Sequence, residues 1–261
     1  PLDKKQYRLI TLPSSGLEAL LISSYPLHES LQNLANAQAA AAISVQVGSF
    51  SDPPEAPGLA HFLEHMVFMG SKKYPSENYY DSFVSSHGGY TNACTEGEYT
   101  SYHFSIDNPF FSEALDIFAH CLTSPLLSSS ASSREIDAIE SEFNLARNHD
   151  SVRAQQLVCS CAKPGHVFGK FSWGNKQSLV CVPQERNANL EQLLRDFHTK
   201  HYLPSRMKLC VIAPKSLDEL QQDVLNSFGG WVDANQAANL ESLEEFVEAA
   251  RGLQRSFGRN N

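Results

Sequence analysis

Two histidines and a glutamate, His61, Glu64 and His65, lie within five residues of one another in a stretch that is otherwise apolar. Leu59, Ala60, Phe62, Leu63, Met66, Val67, Phe68 and Met69 surround them, and a helix that is apolar on almost every side is a buried one. On that helix His61 and His65 stand one turn apart on one face, with Glu64 beside them. Burial would leave two imidazoles and a carboxylate unsatisfied unless something binds them. A metal ion meets that demand. Each imidazole can offer a ring nitrogen to one zinc ion, and the adjacent Glu can reach a water on the open coordination position. The order is His-x-x-Glu-His, the inverted form of the zinc-binding helix motif.

Such a site needs a third protein ligand, and a second helix supplies candidates. In the helix read from Ser132 through Phe143, the apolar stripe is Ile136, Ile139, Phe143 and, three residues on, Ala146. Glu135 and Glu142, two turns apart, both lie along one edge of it. Glu135 has a local alternative, because Ser132-x-x-Glu135 spells a capping box that would occupy it at the helix start. Glu142 is either the carboxylate that completes a two-His, one-carboxylate zinc set or an exposed, salt-bridging Glu; spacing alone leaves both open.

Stepping outward, strands are expected at Tyr7–Leu12 and Leu17–Ser23 around a Pro13–Gly16 turn, and a buried third strand at Ala39–Val47. Tyr25–Gln38 is polar and reads as a loop. Pro57 and Gly58 mark the start of the motif helix, which ends near Gly70. A helix over Ser76–Ser86 precedes a hairpin of Tyr90–Thr95 and Thr100–Ile106, and Asn108-Pro109 opens a helix through Leu122. After the Glu135/Glu142 helix come helices at Ser151–Cys161 and Asn189–His201, a strand at Met207–Ile212 and a helix at Ser216–Phe228. Residues 1–229 read as one domain and residues 230–261 as a linker toward an absent second domain.

Composition narrows the class. With 261 residues, 42% of them apolar, the chain can build a full core. A net charge of -9 disfavours nucleic acid and anionic membranes as partners, and no apolar run is long enough for a membrane span. The six cysteines lack C-x-x-C spacing and read as small buried thiols in a reducing compartment, the cytoplasm. Without an initiator Met or a secretory signal, the sequence reads as a fragment or processed chain.

The stretch from Gly58 to Gly70, followed by Tyr74-Pro75 and Asn78, resembles the pitrilysin-type inverted zinc metallopeptidases, the family of insulysin and nardilysin. Gly89 with Asn92 and Ala93, Arg134-Glu135 through Ser141-Glu142, and Pro164 through Asn175 resemble the same family, the last two leaning to its nardilysin side. The resemblance runs from Tyr7 to Phe228. It implies an α+β metallopeptidase roll, a mixed, mainly antiparallel sheet with helices on one side. It also implies an endopeptidase with zinc on His61, His65 and Glu142, Glu64 as general base and Glu135 as a supporting carboxylate. A peptide substrate would add a strand along Asn92-Ala93. Members carry four related domains, so a C-terminal half of the same chain is the implied partner. An inactive zinc-binding scaffold of a larger protein is the competing reading. Three departures stand out: Leu63 occupies the place of an insulysin Cys, the Tyr25–Gln38 loop lacks nardilysin's acidic insertion, and Val152 and Gln155 replace aromatic pocket residues.

Overall fold

The computed structural model describes residues 3–24 and 37–232. Among them six strands, β1 (Gln6–Thr11), β2 (Glu18–Ser23), β3 (Gln38–Val45), β4 (Tyr90–Thr95), β5 (Thr100–Asp107) and β6 (Met207–Ala213), form one sheet in the order β1-β2-β6-β3-β5-β4. Only β2 and β6 are parallel; the other neighbours are antiparallel. This is the mixed, mainly antiparallel sheet that the sequence implies.

Alternation decides which face is covered. In β5, Thr100, Tyr102, Phe104 and Ile106 are buried, and in β3 so are Ala39, Ala41, Ile43 and Val45. The register aligns Leu21, Val211, Ala41 and Phe104 in one row across four strands. Because successive side chains point to opposite faces, that row and its neighbours make a single apolar face, and the helices pack there.

The helices are α1 (Leu59–Met66), α2 (Tyr79–Ser86), α3 (Phe111–Thr123), α4 (Ser129–Ala146), α5 (Asp150–Ser160), α6 (Val182–Glu185), α7 (Leu190–His201) and α8 (Leu217–Phe228). The last two are capped at their starts by side chains: Asn189 Oδ1 accepts from Gln192 N at 3.0 Å, and Ser216 and Glu219 form a reciprocal capping box. Aromatic packing ties α2 and α3 to the sheet. The Phe118 ring lies 5.2 Å from Phe104 and 6.0 Å from Tyr80, and Tyr80 stacks on Phe68 at 4.8 Å.

Several local expectations shift. Helix α4 begins at Ser129, one turn before Ser132, because Ser128 accepts from Ala131 N. Ser132 is therefore buried inside the helix, and the capping box with Glu135 does not form. Helix α2 begins at Tyr79, and Glu77 pairs instead with Arg134. A π-helical turn at Gln177–Cys181 runs into α6, where no element was expected. All six cysteines are free, but only Cys121 is buried; Cys94 and Cys161 are exposed. Most of the Tyr25–Gln38 loop, and residues 233–261 of the expected linker, lie outside the described residues, while Gln38 already belongs to β3. Among the described residues no helix is long and apolar enough to cross a membrane.

Phe118→Ala should cost about 3–5 kcal/mol, the range for emptying a large aromatic site in a packed core. Denaturant unfolding of the variant measures this, and a loss below about 1 kcal/mol would mean that the α3–sheet contact is not the core described here.

Candidate metal centre

Helix α1 owes its start to a residue far from its first turn. Asp52, 3% exposed, accepts from Gly58 N through Oδ2 and from Ala60 N through Oδ1, both at 2.8 Å. It thus satisfies N–H groups that a helix N-terminus leaves unpaired, and its charge suits the positive end of the helix dipole. Pro57 precedes the cap instead of opening the helix, and the cap itself is Gly58 at φ +91°. A side chain there would be strained and would also collide with Gly174. Burial pushes the Asp52 carboxyl up to about 7, opposed by the two N–H donors and by Lys170.

The helix buries Leu59, Ala60, Phe62, Leu63, Glu64 and Met66 and leaves the two imidazoles half-buried at its surface. Both rings are oriented from behind. His61 Nδ1 lies 2.6 Å from the Trp173 carbonyl oxygen, which can only accept, so the proton is on Nδ1 and the Nε2 lone pair is free. His65 Nδ1 donates to Glu135 Oε2 at 3.1 Å, with the same result. The ring planes are nearly perpendicular, at 81°, with centroids 4.9 Å apart.

Two carboxylates contend for the position in front of the rings. Ligand atoms of His61, Glu64 and His65 all lie within 4.8 Å of one another. From α4, Glu142 Oε2 sits 3.6 Å from His61 Nε2 and 3.6 Å from His65 Nε2. Bonds of about 2.0–2.2 Å to a tetrahedral zinc put ligand atoms about 3.3–3.6 Å apart, so this equidistant oxygen fits a zinc set with the two imidazoles. Glu64 is engaged elsewhere: the Thr95 hydroxyl at the end of β4 donates to its Oε2. Thr100 lies behind Thr95 and donates to the Val47 carbonyl at 2.9 Å.

The electrostatics agree with the geometry. Burial pushes the Glu64 carboxyl up, opposed by Thr95 and the two imidazoles. Burial pulls the His65 ring down, but Glu135, Glu142 and Glu64 outweigh it and lift it to about 9. Hydrogen bonding to His65 holds Glu142 below the usual carboxylate range despite partial burial. At neutral pH the raised His65 value puts a second proton on its ring, at Nε2 facing Glu142, and a metal ion would take the place of this proton.

His61, Glu64, His65, Glu135 and Glu142 are thus gathered at one point, whereas Asn92 and Ala93 sit on β4 at the edge of the sheet, leading to Thr95. Val152 lies half-buried and Gln155 exposed on α5, a helix with no buried residue. Reading the sequence alone missed Asp52, Thr95 and Trp173. Asp52 had one signal, an acidic residue six positions before the helix cap.

One mixed sheet backed by a motif helix and a carboxylate helix is the fold of the pitrilysin-like peptidases. The crystal structure of pitrilysin matches 90% of this chain and 24% of its own with a TM-score of 0.80 and 33% identity. The insulinase (peptidase family M16) model matches residues 29–166, and the model for the M16 inactive domain matches residues 189–255. The chain belongs to the M16, or insulinase, family of peptidases. A nardilysin-like protein of Arabidopsis thaliana is 47% identical over 192 residues, covering 74% of this chain and 19% of the relative. The human insulin-degrading enzyme is 40% identical over 228 residues, covering 87% of this chain and 21% of the enzyme. The chain therefore spans about a fifth of the length of these relatives.

Asp52→Ala should destabilise the fold by about 1–3 kcal/mol, since it leaves two backbone donors without their acceptor at the head of α1. Comparing urea midpoints of variant and wild type measures the loss, and equal midpoints would show that the helix start does not depend on Asp52.

Proposed function

We propose that this chain is the catalytic domain of a zinc endopeptidase, with zinc held by His61, His65 and Glu142. The observation that carries the reading is the Glu142 Oε2 atom at 3.6 Å from both Nε2 atoms. Glu142 is preferred over Glu64 as third ligand because Thr95 already holds the Glu64 carboxylate. When bound there, zinc would polarise the scissile carbonyl and lower the pKa of a coordinated water toward about 7.

The chain's own groups do the rest. Glu64, raised by burial and adjacent to the ligand ring of His65, takes a proton from the attacking water and delivers it to the leaving amine. The Thr95 hydroxyl keeps that carboxylate in one rotamer. Glu135 acts behind His65, fixing the tautomer that leaves Nε2 free to bind. The substrate lies along β4, whose outer edge has no partner strand among the described residues, so that main-chain hydrogen bonds hold a peptide of any sequence. Asn92 Oδ1 accepts from Ala93 N at 2.9 Å, and a peptide strand at this edge would take over that donor.

Glu142 remains 44% exposed, which leaves the site open on one side. The rest of a longer chain, its C-terminal half, is therefore proposed to close over the peptide, excluding water and orienting the scissile bond. The isolated domain is then a zinc protein with weak or no turnover, which is the form the scaffold reading takes here. Six free thiols suit a reducing compartment, and the cytoplasm is the proposed location.

In the longest natural form of the protein, Glu64→Gln should retain zinc while cutting turnover of a quenched fluorogenic peptide by at least ~100-fold. Gln is isosteric but cannot accept the proton. Near wild-type cleavage by a variant with zinc confirmed in place would remove Glu64 as the base.

A further inference from the structure

We infer that the segment from Lys170 to Lys176 is a positioning strap for the metal centre, holding the His61 ring and locking α1 against α4, so that zinc affinity depends on it. This rests on the zinc reading above. The strap meets α1 at two points. Its Trp173 carbonyl accepts from His61 Nδ1 at 2.6 Å. Its Gly174 lies so close to Gly58 that a Cβ on Gly58 would fall 2.2 Å from Gly174 Cα and 2.4 Å from its nitrogen. Lys170 binds the turn that caps the same helix, donating to the carbonyls of Phe50 at 2.7 Å and Asp52 at 2.8 Å.

The other side of the strap meets α4. Phe171 packs edge-on against Phe143, the neighbour of Glu142, with centroids 5.5 Å apart. Lys176 N donates to Glu140 Oε2 at 2.8 Å, and its ammonium lies 2.7 Å from Asp137. That last pair is exposed and adds little. The backbone contacts carry the effect. A carbonyl fixed by the main chain cannot swing away as a side-chain acceptor can, so it sets both the tautomer and the plane of the His61 ring. Two glycines in contact let the strap sit directly on the first turn of α1, at the distance that reach requires.

Partners of this kind typically change metal affinity by about 10–100-fold. A segment that only covered the core would lower stability without singling out the metal, and one comparison separates the two. Gly174 and Gly165 both have left-handed φ, +78° and +81°; a Cβ on Gly174 would rest at ordinary contact distance from Gly58, 3.4–3.5 Å, and 3.2 Å from the end of the Leu179 side chain, whereas one on Gly165 meets nothing within 4 Å. Both Ala variants thus carry the same kind of backbone strain, and only Gly174→Ala places it inside the strap, where the backbone must shift against α1 to relieve it. Lys170→Gln is a second strap variant that adds no left-handed strain.

The full chain and each variant would be measured by chelator competition for zinc, by thermal midpoint of the metal-free form, and by ¹⁵N-edited NMR of the His61 Nδ1–H. The expected result is a loss of about 10–100-fold in zinc affinity for Gly174→Ala, in the range for such partners, with a loss in the same direction for Lys170→Gln. The His61 Nδ1–H signal shifts or exchanges away in Gly174→Ala, and Gly165→Ala lowers the midpoint while keeping wild-type zinc affinity and the signal. Wild-type zinc affinity in both strap variants overturns the strap. Equal losses of affinity in Gly174→Ala and Gly165→Ala also overturn it, since strain alone would then explain them. A wild type that takes no zinc overturns the metal reading and the strap with it.

Discussion

A carboxylate and two imidazoles on an apolar helix are the constraint on which this domain is organised. Glu64 is only 9% exposed, and its apolar neighbours on α1 are fully buried, so the helix cannot turn to bring the polar groups into water without exposing its core face. Each polar group must find its partner inside the fold. Thr95 comes from the sheet, Glu135 and Glu142 from α4, and the Trp173 carbonyl from the segment beyond α5. β4 lies at an edge of the sheet, and its last residue, Thr95, reaches Glu64 on α1.

Orientation and chemistry are divided between different groups. Groups behind the rings accept hydrogen bonds from Nδ1–H and turn Nε2 to the front, while the group in front brings negative charge to the same point. Asp52 anchors the N-terminus of α1 and the loop carrying Lys170 anchors Asp52, so the placement of the two imidazoles is set by backbone and buried contacts instead of flexible surface side chains. Rigid support of this kind is what a site needs when small displacements of ligands cost affinity and rate.

Much of this was legible in the sequence where the signal is local. The β4–β5 hairpin followed from alternation in Tyr102, Phe104 and Ile106, α7 from the apolar spacing of Leu190, Leu193, Leu194 and Phe197, and the end of α8 from Gly229-Gly230. The start of α4 was not, because the run Ser128-Ser129-Ser130-Ala131-Ser132-Ser133 offers several possible caps and only packing selects Ser128. Partners separated widely along the chain were also out of reach. Trp173 lies 112 residues from His61, contributes a backbone atom, and so leaves no trace in residue type. Thr95 stands 31 residues from Glu64 in a strand whose alternation explains it equally well as a sheet residue. Glu142 was open on spacing alone, because a mid-helix Glu on an apolar edge looks the same whether it faces water or a metal.

The most direct test of the account is a crystal structure of the zinc-loaded chain with anomalous data collected on both sides of the zinc edge. The expected result is one zinc bound by Nε2 of His61, Nε2 of His65 and a carboxylate oxygen of Glu142, at about 2.0–2.2 Å. Glu64 should stay outside the coordination sphere, still hydrogen-bonded to Thr95. A zinc bound through Glu64 in place of Glu142, or through a ring Nδ1, would contradict it.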